Sequence, residues 1–568
     1  MTSLSRTLSG LLEETTRHHP HQSTYFKQSD QTLSIHALHL AQARFAAHAI
    51  RHGIKQGDRV GILFDNSPEF LTAFFGLARA RAAAVSLPLP ASMMDLQGHY
   101  VERLTRILTT AEVTVIVASE MFAPLVQSTL SDVSSIRVLT VGAFSEPVDT
   151  SSLPVPEPDD LAFVQFTSGS SSAPKGACLT HDNIVTNLRA IQDAAQLSER
   201  DRLHMWLPFF HDMGIFGTLA LMTCGATIEI SSPSTFVKSP ERWLARFCEQ
   251  KATIYVGPNF SFEAMMRAVS DASTLDLSAL RLAFNGAEPI EARMLERFEA
   301  RFAAAGYRPE AMFPVYGLAE ATLAVSFPPC QAAPTVLSVD GRRLANDGIV
   351  ERVGQDHPAA TAIVGVGQPV PQIEVRLMPR KNAPQSQDSL PSGHVGRVEI
   401  RGPSVMTGYL SEDVTTAPSL RDGWFDTGDL GFFYEGELFI TGREKEMIIV
   451  RGENFYPQDV EALAKDIEGV YRRRAVAFAV TNPERIAVVA ETILEGADAH
   501  QALARTISQT IARALGLAQV EVHVVEKGKM KRTTSGKWQR IRMRTMVEQN
   551  IFSEVLASHA GAAKVSAS

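Results

Sequence analysis

The sequence predicts an α/β protein with a large N-terminal part built from several sub-domains and a small α+β unit at its C-terminal end. Three features point there. Strand-like and helix-like apolar runs alternate along most of the chain, as in parallel sheets covered by helices. At 568 residues the chain is too long for one core, and length suggests about three or four folding units. Near the C-terminus a further group of strand-like runs and helical patterns makes a small unit of its own.

In chain order, residues 59–64 (RVGILF) read as a buried strand, and Ser67-Pro68-Glu69 starts a helix, with Ser as N-cap and Pro in the first turn. Residues 83–89, 113–118 and 136–141 continue the strand series. A Pro/Asp/Ser-rich stretch, 146–160, precedes the apolar run 161–166. The runs 253–256 and 281–284 end at or just before a glycine, and a helical pattern over 290–305 closes at Gly306, a C-cap candidate. Residues 328–355 turn irregular and polar and read as an inserted segment outside the core. Beyond them, 437–440 and 446–450 read as strands and 457–467 as a helix. The runs 475–480, 486–491 and 520–525, with a helix over 501–515, complete the small unit. The small, polar tail 557–568 is expected to fray.

Composition removes several classes of function. With 62 acidic and 54 basic residues, a net charge of -8 offers no basic field to nucleic acid. Arg472-Arg473-Arg474 and the stretch 527–532 are short and read as solvated surface. Cys178, Cys224, Cys248 and Cys330 form no CxxC pair, which argues against a disulfide framework or zinc site and fits a reducing cytosol. The N-terminus lacks a signal-type apolar region, and the longest apolar stretch, 215–230, falls short of a bilayer span of about 20 residues. A soluble cytoplasmic protein without a transmembrane segment is expected.

The most informative segment is 163–183, FVQFTSGSSSAPKGACLTHDN. A buried strand runs into a Ser/Gly-rich turn followed by Lys175. Hydroxyls and backbone N–H groups in such a turn can cradle phosphate oxygens, with the lysine adding charge. Taken alone, phosphate binding and a plain flexible loop are equally good readings, and no Walker motif is present. Its companions change the balance: Tyr316-Gly317-Leu318-Ala319-Glu320, the stretch from Gly423 to Asp429 (GWFDTGD), Thr441-Gly442-Arg443-Glu444-Lys445 and Ser535-Gly536-Lys537. In this order they resemble the signature series of the acyl- and aryl-adenylating superfamily, which includes acyl-CoA synthetases, luciferases and nonribosomal-peptide adenylation domains. The match spans nearly the whole chain.

The resemblance implies a large adenylate-forming domain over 1–443, carrying a family insertion near 328–355, and a mobile C-terminal domain over 444–568. It implies that ATP is bound with its β- and γ-phosphates on Thr167, Ser168, Ser170 and Lys175, and that Glu320 helps hold Mg²⁺. Tyr316 and Gly317 would lie at the adenine, Asn285, Gly286, Ala287 and Glu288 would line the base pocket, and Asp429 would meet the ribose with Arg443 close by. Lys537 would bridge the substrate carboxylate and the α-phosphate, with a hinge at Lys445 and Glu446. Taken singly, Glu320 could be a helix-start carboxylate, Asp429 a turn residue and Lys537 a solvated charge. Their joint occurrence in register decides against those readings.

Within the superfamily, the chain is most similar to the fatty acyl-AMP ligases. Residues 206–214, WLPFFHDMG, are close to that branch's WLPxxHDMG, and 316–326, YGLAEATLAVS, match its extended motif. Residues 454–461, NFYPQDVE, resemble its NHYPQDIE, and the 328–355 insertion sits where that branch carries a segment thought to hinder use of coenzyme A. His211 is then expected beside the acyl carboxylate, with Asp212, Met213, Gly214, Asn259, Phe260, Leu318 and Ala319 at the acyl site. The plainer reading of His211 is a packed histidine closing a turn with Asp212. There are departures: Ser171-Ser172 replace the usual Thr-Gly of the phosphate loop, Glu446 stands where Asp is commoner, and Phe455 replaces a histidine. Asp388-Ser389-Leu390 imitates a phosphopantetheine site but has no helical bundle around it, so a holo acyl carrier protein is expected as a separate partner. The expected activity is fatty-acid adenylation by a monomer in lipid biosynthesis, with long-chain acyl-CoA ligation as the main rival and a silent adenylate-binding scaffold as the second.

Overall fold

A computed structural model describes residues 4–90, 99–130, 136–167, 175–380, 390–410, 420–481, 484–531 and 538–552. Two seven-stranded sheets form the large part. In the first, Ser23–Phe26, Thr227–Ile230, Arg202–Met205, Ile254–Pro258, Leu282–Gly286 and Met312–Pro314 run parallel, and Gln31–Ser34 adds an antiparallel edge. In the second, Arg137–Thr140, Val115–Ala118, Arg59–Leu63, Ala83–Ser86 and Leu161–Thr167 are parallel. Lys175–Thr180 and Gly408–Tyr409 then extend that sheet antiparallel.

The strands Ala83–Ser86, Ile254–Pro258 and Leu282–Gly286 are buried along their whole length, which is why they read as unbroken apolar runs rather than alternating ones. The two sheets share one core. Phe163 packs edge-on against Phe74 at 5.3 Å and Phe216 at 5.7 Å, joining a strand of the second sheet to the helices Pro68–Arg79 and Asp212–Thr223. The helix His181–Ala194 is fixed at its start by a capping box, Thr180 with Asn183. Ser67 stands at the N-cap as expected, followed by Pro68, but its hydroxyl makes no capping bond.

A third, antiparallel sheet holds Glu374–Met378, Gly396–Arg401, Trp424–Tyr434, Leu420–Arg421 and Glu437–Arg443. The C-terminal unit follows: the hairpin Ile448–Val450 with Glu453–Phe455, the helix Pro457–Lys465, and a sheet of Ala475–Thr481, Glu484–Thr492 and Glu521–Glu526 under the helix Ala497–Leu515. That helix begins before residue 501, directly after Gly496, and ends at Gly516 in the left-handed region. Residues 444–446 form a single helical turn and the strand starts only at Ile448. The helix expected over 290–305 runs from Ala292 to Phe302 with one further turn, and Gly306 closes it at φ +77°. Among the described residues no helix is long and apolar enough to cross a membrane.

The segment 328–355 is irregular only in part. Val336–Asp340 pairs with Ala360–Val364, and the short helix Gly341–Asn346 follows. Only Leu337 and Val339 of that strand are buried, so one of its faces can carry polar residues. Val339 and Leu344 join a small core with Phe432, Phe439 and Tyr456. The segment also touches the C-terminal unit, where the Asn454 N–H donates to Asn346 Oδ1 at 2.6 Å.

Two further contacts close the seam between large and small parts. Glu291 accepts from Lys465 Nζ at 2.7 Å and from Arg473 Nη2 at 2.9 Å. Burial pushes the Glu291 carboxyl up, but the two cations more than offset it and hold it below the usual range. Glu291→Ala should leave far-UV circular dichroism unchanged and speed tryptic cleavage at Arg443 and Lys445 several-fold. An unchanged cleavage rate would show that this pair does not fasten the seam.

On the other side, the Thr361 hydroxyl donates to Asp459 Oδ1 at 3.2 Å. Burial pushes the Asp459 carboxyl up to about 6; the Thr361 hydroxyl opposes this and the charge of Glu461 adds to it. A raised folded-state value means stability present below the ordinary 3.8 and lost as pH rises through about 6. Asp459→Asn should therefore raise Tm above that window and lose its advantage below it, as read by calorimetry across pH.

Candidate active site

A cleft of about 2660 Å³ is lined by residues from both large sheets, the third sheet and the C-terminal unit. Lys175, His211, Glu320, Asp429 and Arg443, far apart in sequence, all face it.

At one end sits Asp429, 6% exposed. Tyr316 Oη donates to its Oδ2 at 2.6 Å and Arg443 Nε to its Oδ1 at 3.0 Å. Asp429 and Arg443 are cross-strand partners, brought opposite each other beside a register shift at Leu430/Gly431. Gly428, at φ +74°, lies in the strand Trp424–Tyr434 where its register against Gly396–Arg401 shifts, directly before Asp429. Burial and then the charge of Asp429 hold the Tyr316 phenol well above its ordinary range, so it stays a donor. The Asp429 carboxylate likewise raises Arg443, which remains charged.

Glu320 lies in the single turn Ala319–Ala321, which joins the paired strands Tyr316–Gly317 and Ala324–Phe327. The turn is tight. A Cβ on Gly317 would come within 2.0 Å of the Leu323 carbonyl oxygen, and buried Thr322 is held at φ +67°, a costly conformation for a β-branched residue. The Thr322 hydroxyl is anchored on the Ser404 carbonyl at 2.9 Å. Burial raises the Glu320 carboxyl; the hydrogen bond from Tyr409 Oη to its Oε1, at 2.6 Å, opposes that rise. Lys175 opens the strand Lys175–Thr180 with its Nζ 4.6 Å above the Tyr409 ring.

His211 is the N-cap residue of the helix Asp212–Thr223, with its ring centroid 4.5 Å from that of Phe210. Asp212 Oδ1 accepts the Met213 N–H at 2.8 Å. A Cβ on Gly214 would stand 2.1 Å from the Pro208 carbonyl oxygen, so this turn closes only around glycine. An aromatic cluster also lines the cleft: Trp206 stacks on Phe236 at 4.0 Å, and Phe260 stands edge-on to Trp206 at 6.3 Å.

Most of the residues expected from sequence meet here. Met213, Asn259, Phe260, Ala287, Glu288, Gly317, Leu318, Ala319, Lys445 and Glu446 also line the cleft. Asn285 and Gly286 end a fully buried strand directly before Ala287 and Glu288, and Gly214 is buried in the first turn of its helix. Glu288 Oε1 is engaged by the Phe260 N–H at 2.6 Å, and Glu446 Oε2 by Arg540 Nη1 at 3.0 Å. Ser168, Ser170, the side chain of Thr167, Ser171-Ser172 and Lys537 lie outside the described residues, as do Asp388 and Ser389. Sequence reasoning missed Tyr409; its only local signal is a glycine–aromatic pair, Gly408-Tyr409, closing the run 403–410.

A model of the AMP-binding enzyme family matches residues 12–410 of this chain. The chain belongs to the AMP-binding enzyme family. Among relatives of this AMP-binding enzyme, the long-chain-fatty-acid–AMP ligase FadD32 of Mycolicibacterium smegmatis is 35% identical over 467 residues, 77% of this chain and 72% of that protein. The 4-hydroxyphenylalkanoate adenylyltransferase of Mycobacterium tuberculosis is 32% identical and covers 96% of this chain and 92% of that one. One of the fatty acyl-adenylate ligases solved from E. coli and L. pneumophila superimposes with a TM-score of 0.89 at 29% identity, over 96% of this chain and 98% of its own. The AMP-binding enzyme is thus an adenylate-forming ligase with that family's large N-terminal and smaller C-terminal parts.

Asp429→Asn removes the charge that holds Tyr316 and Arg443. It should weaken AMP binding about tenfold, the worth of one hydrogen bond to a charged group. Calorimetry checks this, and unchanged affinity would place the nucleotide elsewhere.

Proposed function

We propose that this enzyme activates a fatty acid as its acyl-AMP and passes the acyl group to the phosphopantetheine thiol of a separate acyl carrier protein. The observation that carries the reading is that one cleft is lined by a linked set of polar groups, Lys175, Glu320, Asp429 and Arg443 joined through Tyr409 and Tyr316, and by an aromatic cluster, Trp206, Phe236 and Phe260, as well as by His211. The polar set suits a triphosphate and the aromatic cluster an alkyl chain. Relatives named for fatty-acid–AMP ligation add support.

In the first step a carboxylate oxygen attacks the α-phosphorus of ATP. The bond to the β-phosphate breaks and pyrophosphate leaves with its electron pair. Both reactants are anions, so the site must supply positive charge and donors before they meet. Lys175 would meet the outgoing phosphates, and Asp429 with Tyr316 and Arg443 the ribose and adenine. His211 would meet the acyl carboxylate. Lys537, on the C-terminal unit, would bridge the carboxylate and the α-phosphate.

Among the described residues there is no cluster of three metal-ligating side chains. A single carboxylate such as Glu320, together with phosphate oxygens and water, fits Mg²⁺, which seldom takes an all-protein cage. Bound there, Mg²⁺ would neutralise charge on the phosphates. In the second step the thiol sulfur attacks the acyl carbon, the carbon–oxygen bond to AMP breaks, and the thiol proton is released. The family hinge at Lys445 and Glu446 would let the small unit turn between the two steps.

Mass spectrometry after incubation with ATP, Mg²⁺, a fatty acid and either holo carrier protein or coenzyme A tests the reading. Acyl-AMP and acyl-carrier are expected; rapid release of acyl-CoA would favour the acyl-CoA ligase instead. Lys537→Ala should cut acyl-AMP formation about a hundredfold, the scale of losing one charge-stabilising donor. It should largely spare transfer from pre-formed acyl-AMP, and equal loss in both half-reactions would contradict the assigned role.

A further inference from the structure

We infer that Tyr409 is a positioning residue that holds Glu320 and Lys175 in a fixed relation at the phosphate end of the cleft. This rests on the reading of those two groups as the ones that meet the ATP phosphates and their metal ion.

Tyr409 serves both through different parts of one side chain. Its Oη donates to Glu320 Oε1 at 2.6 Å, while its ring lies 4.6 Å below Lys175 Nζ. Glu320 and Lys175 carry opposite charges, yet each is met by the aromatic side chain between them. A phenol hydroxyl is a neutral donor and a ring face a weak cation acceptor. Tyr409 can therefore restrain both charges without neutralising either, which an arginine or aspartate at this place could not do.

The backbone around Tyr409 is tied to the same two elements. The strand Gly408–Tyr409 pairs with Lys175–Thr180, Tyr409 standing opposite Ala177, and the Leu410 N–H donates to the Gly176 carbonyl at 2.8 Å. On the other side the Met406 N–H donates to the Glu320 carbonyl at 2.8 Å, and the strained Thr322 is anchored on Ser404. Asn183, from the capping box of the helix after Lys175–Thr180, donates to the carbonyls of Pro403 at 2.7 Å and Val405 at 3.1 Å. Residues 403–410 thus join the Lys175 strand to the Glu320 turn, and Tyr409 is the side chain this joint aims into the cleft.

Restraint matters because Glu320 is a short acid on a strained turn and Lys175 an exposed lysine with much rotamer freedom to lose. A carboxylate oxygen already bound by Tyr409 presents its other oxygen, Oε2, in a set direction. A lysine resting on the ring has less freedom left to lose when phosphate arrives.

The test is calorimetric titration of ATP, with excess Mg²⁺ and with a chelator, on the wild type, Tyr409→Phe, Tyr409→Leu, Glu320→Gln and Tyr409→Phe with Glu320→Gln. Tyr409→Phe keeps the ring and should leave metal-free affinity within about twofold, while the tightening given by Mg²⁺ shrinks about tenfold, one hydrogen bond to a charged group. In the Glu320→Gln background the same change should add nothing, because the hydroxyl acts through that carboxylate. Tyr409→Leu should in addition weaken metal-free binding several-fold, since Lys175 loses its support. A Tyr409→Phe protein with wild-type Mg²⁺ dependence, or losses that simply multiply in the double variant, would overturn the assignment. A wild type that binds ATP in neither condition would instead overturn the parent reading, and this inference with it.

Discussion

Asp429 is a carboxylate with 6% of its surface exposed, and a charge so far from water persists only if its oxygens are met. Tyr316 meets one and Arg443 the other. These three residues come from a hairpin after the first large sheet and from two neighbouring strands of the third sheet, so the requirement of one buried acid fixes how those layers abut. The same requirement orders the part of the cleft proposed for the nucleotide. Neither Tyr316 nor Arg443 could leave without stranding the acid, and the sugar and base of a ligand would dock against a surface that is already ordered.

The part of the cleft proposed for the phosphates follows a similar logic with less burial. Glu320 is raised by desolvation and, to a smaller extent, by the nearby charge of Asp212, and the Tyr409 hydroxyl, its own backbone N–H and the charge of Arg443 oppose that rise. A seam fastened by Glu291, Lys465 and Arg473 on one side and by Asn346 and Asn454 on the other then holds the small unit over both ends. All of these are polar contacts in partly exposed places, which can exchange for water more readily than an apolar interface. The seam is therefore suited to opening and closing, whereas the Phe74–Phe163–Phe216 core beneath it is not.

Much of this was legible in the sequence because the signals were strong and local. Fully buried parallel strands give unbroken apolar runs, and Gly306 marks a helix end by a conformation few other residues adopt. Candidate site residues were legible as short motifs because tight turns and strand irregularities need glycine at fixed places, as at Gly317 and Gly428. What stayed hidden depends on distance in the fold. The strand Val336–Asp340 buries one face only and passes for a polar loop until its partner Ala360–Val364 is seen. Tyr409 has no chemistry of its own in the sequence and gains meaning only from standing between Lys175 and Glu320. Asn285 and Gly286 belong to a motif whose exposed half is Ala287 and Glu288; the strand ends there, and the buried half supports the exposed one.

The central claim is that a carboxylate oxygen of the substrate becomes bonded to the α-phosphorus of ATP in this cleft. Isotope transfer reads that bond directly. A fatty acid labelled with ¹⁸O in its carboxylate is turned over with ATP, Mg²⁺ and holo carrier protein, and the nucleotide and phosphate products are weighed by mass spectrometry. The account predicts AMP carrying one ¹⁸O per turnover and unlabelled pyrophosphate. Label in inorganic phosphate with ADP as the nucleotide product, or unlabelled AMP beside a formed thioester, would contradict it.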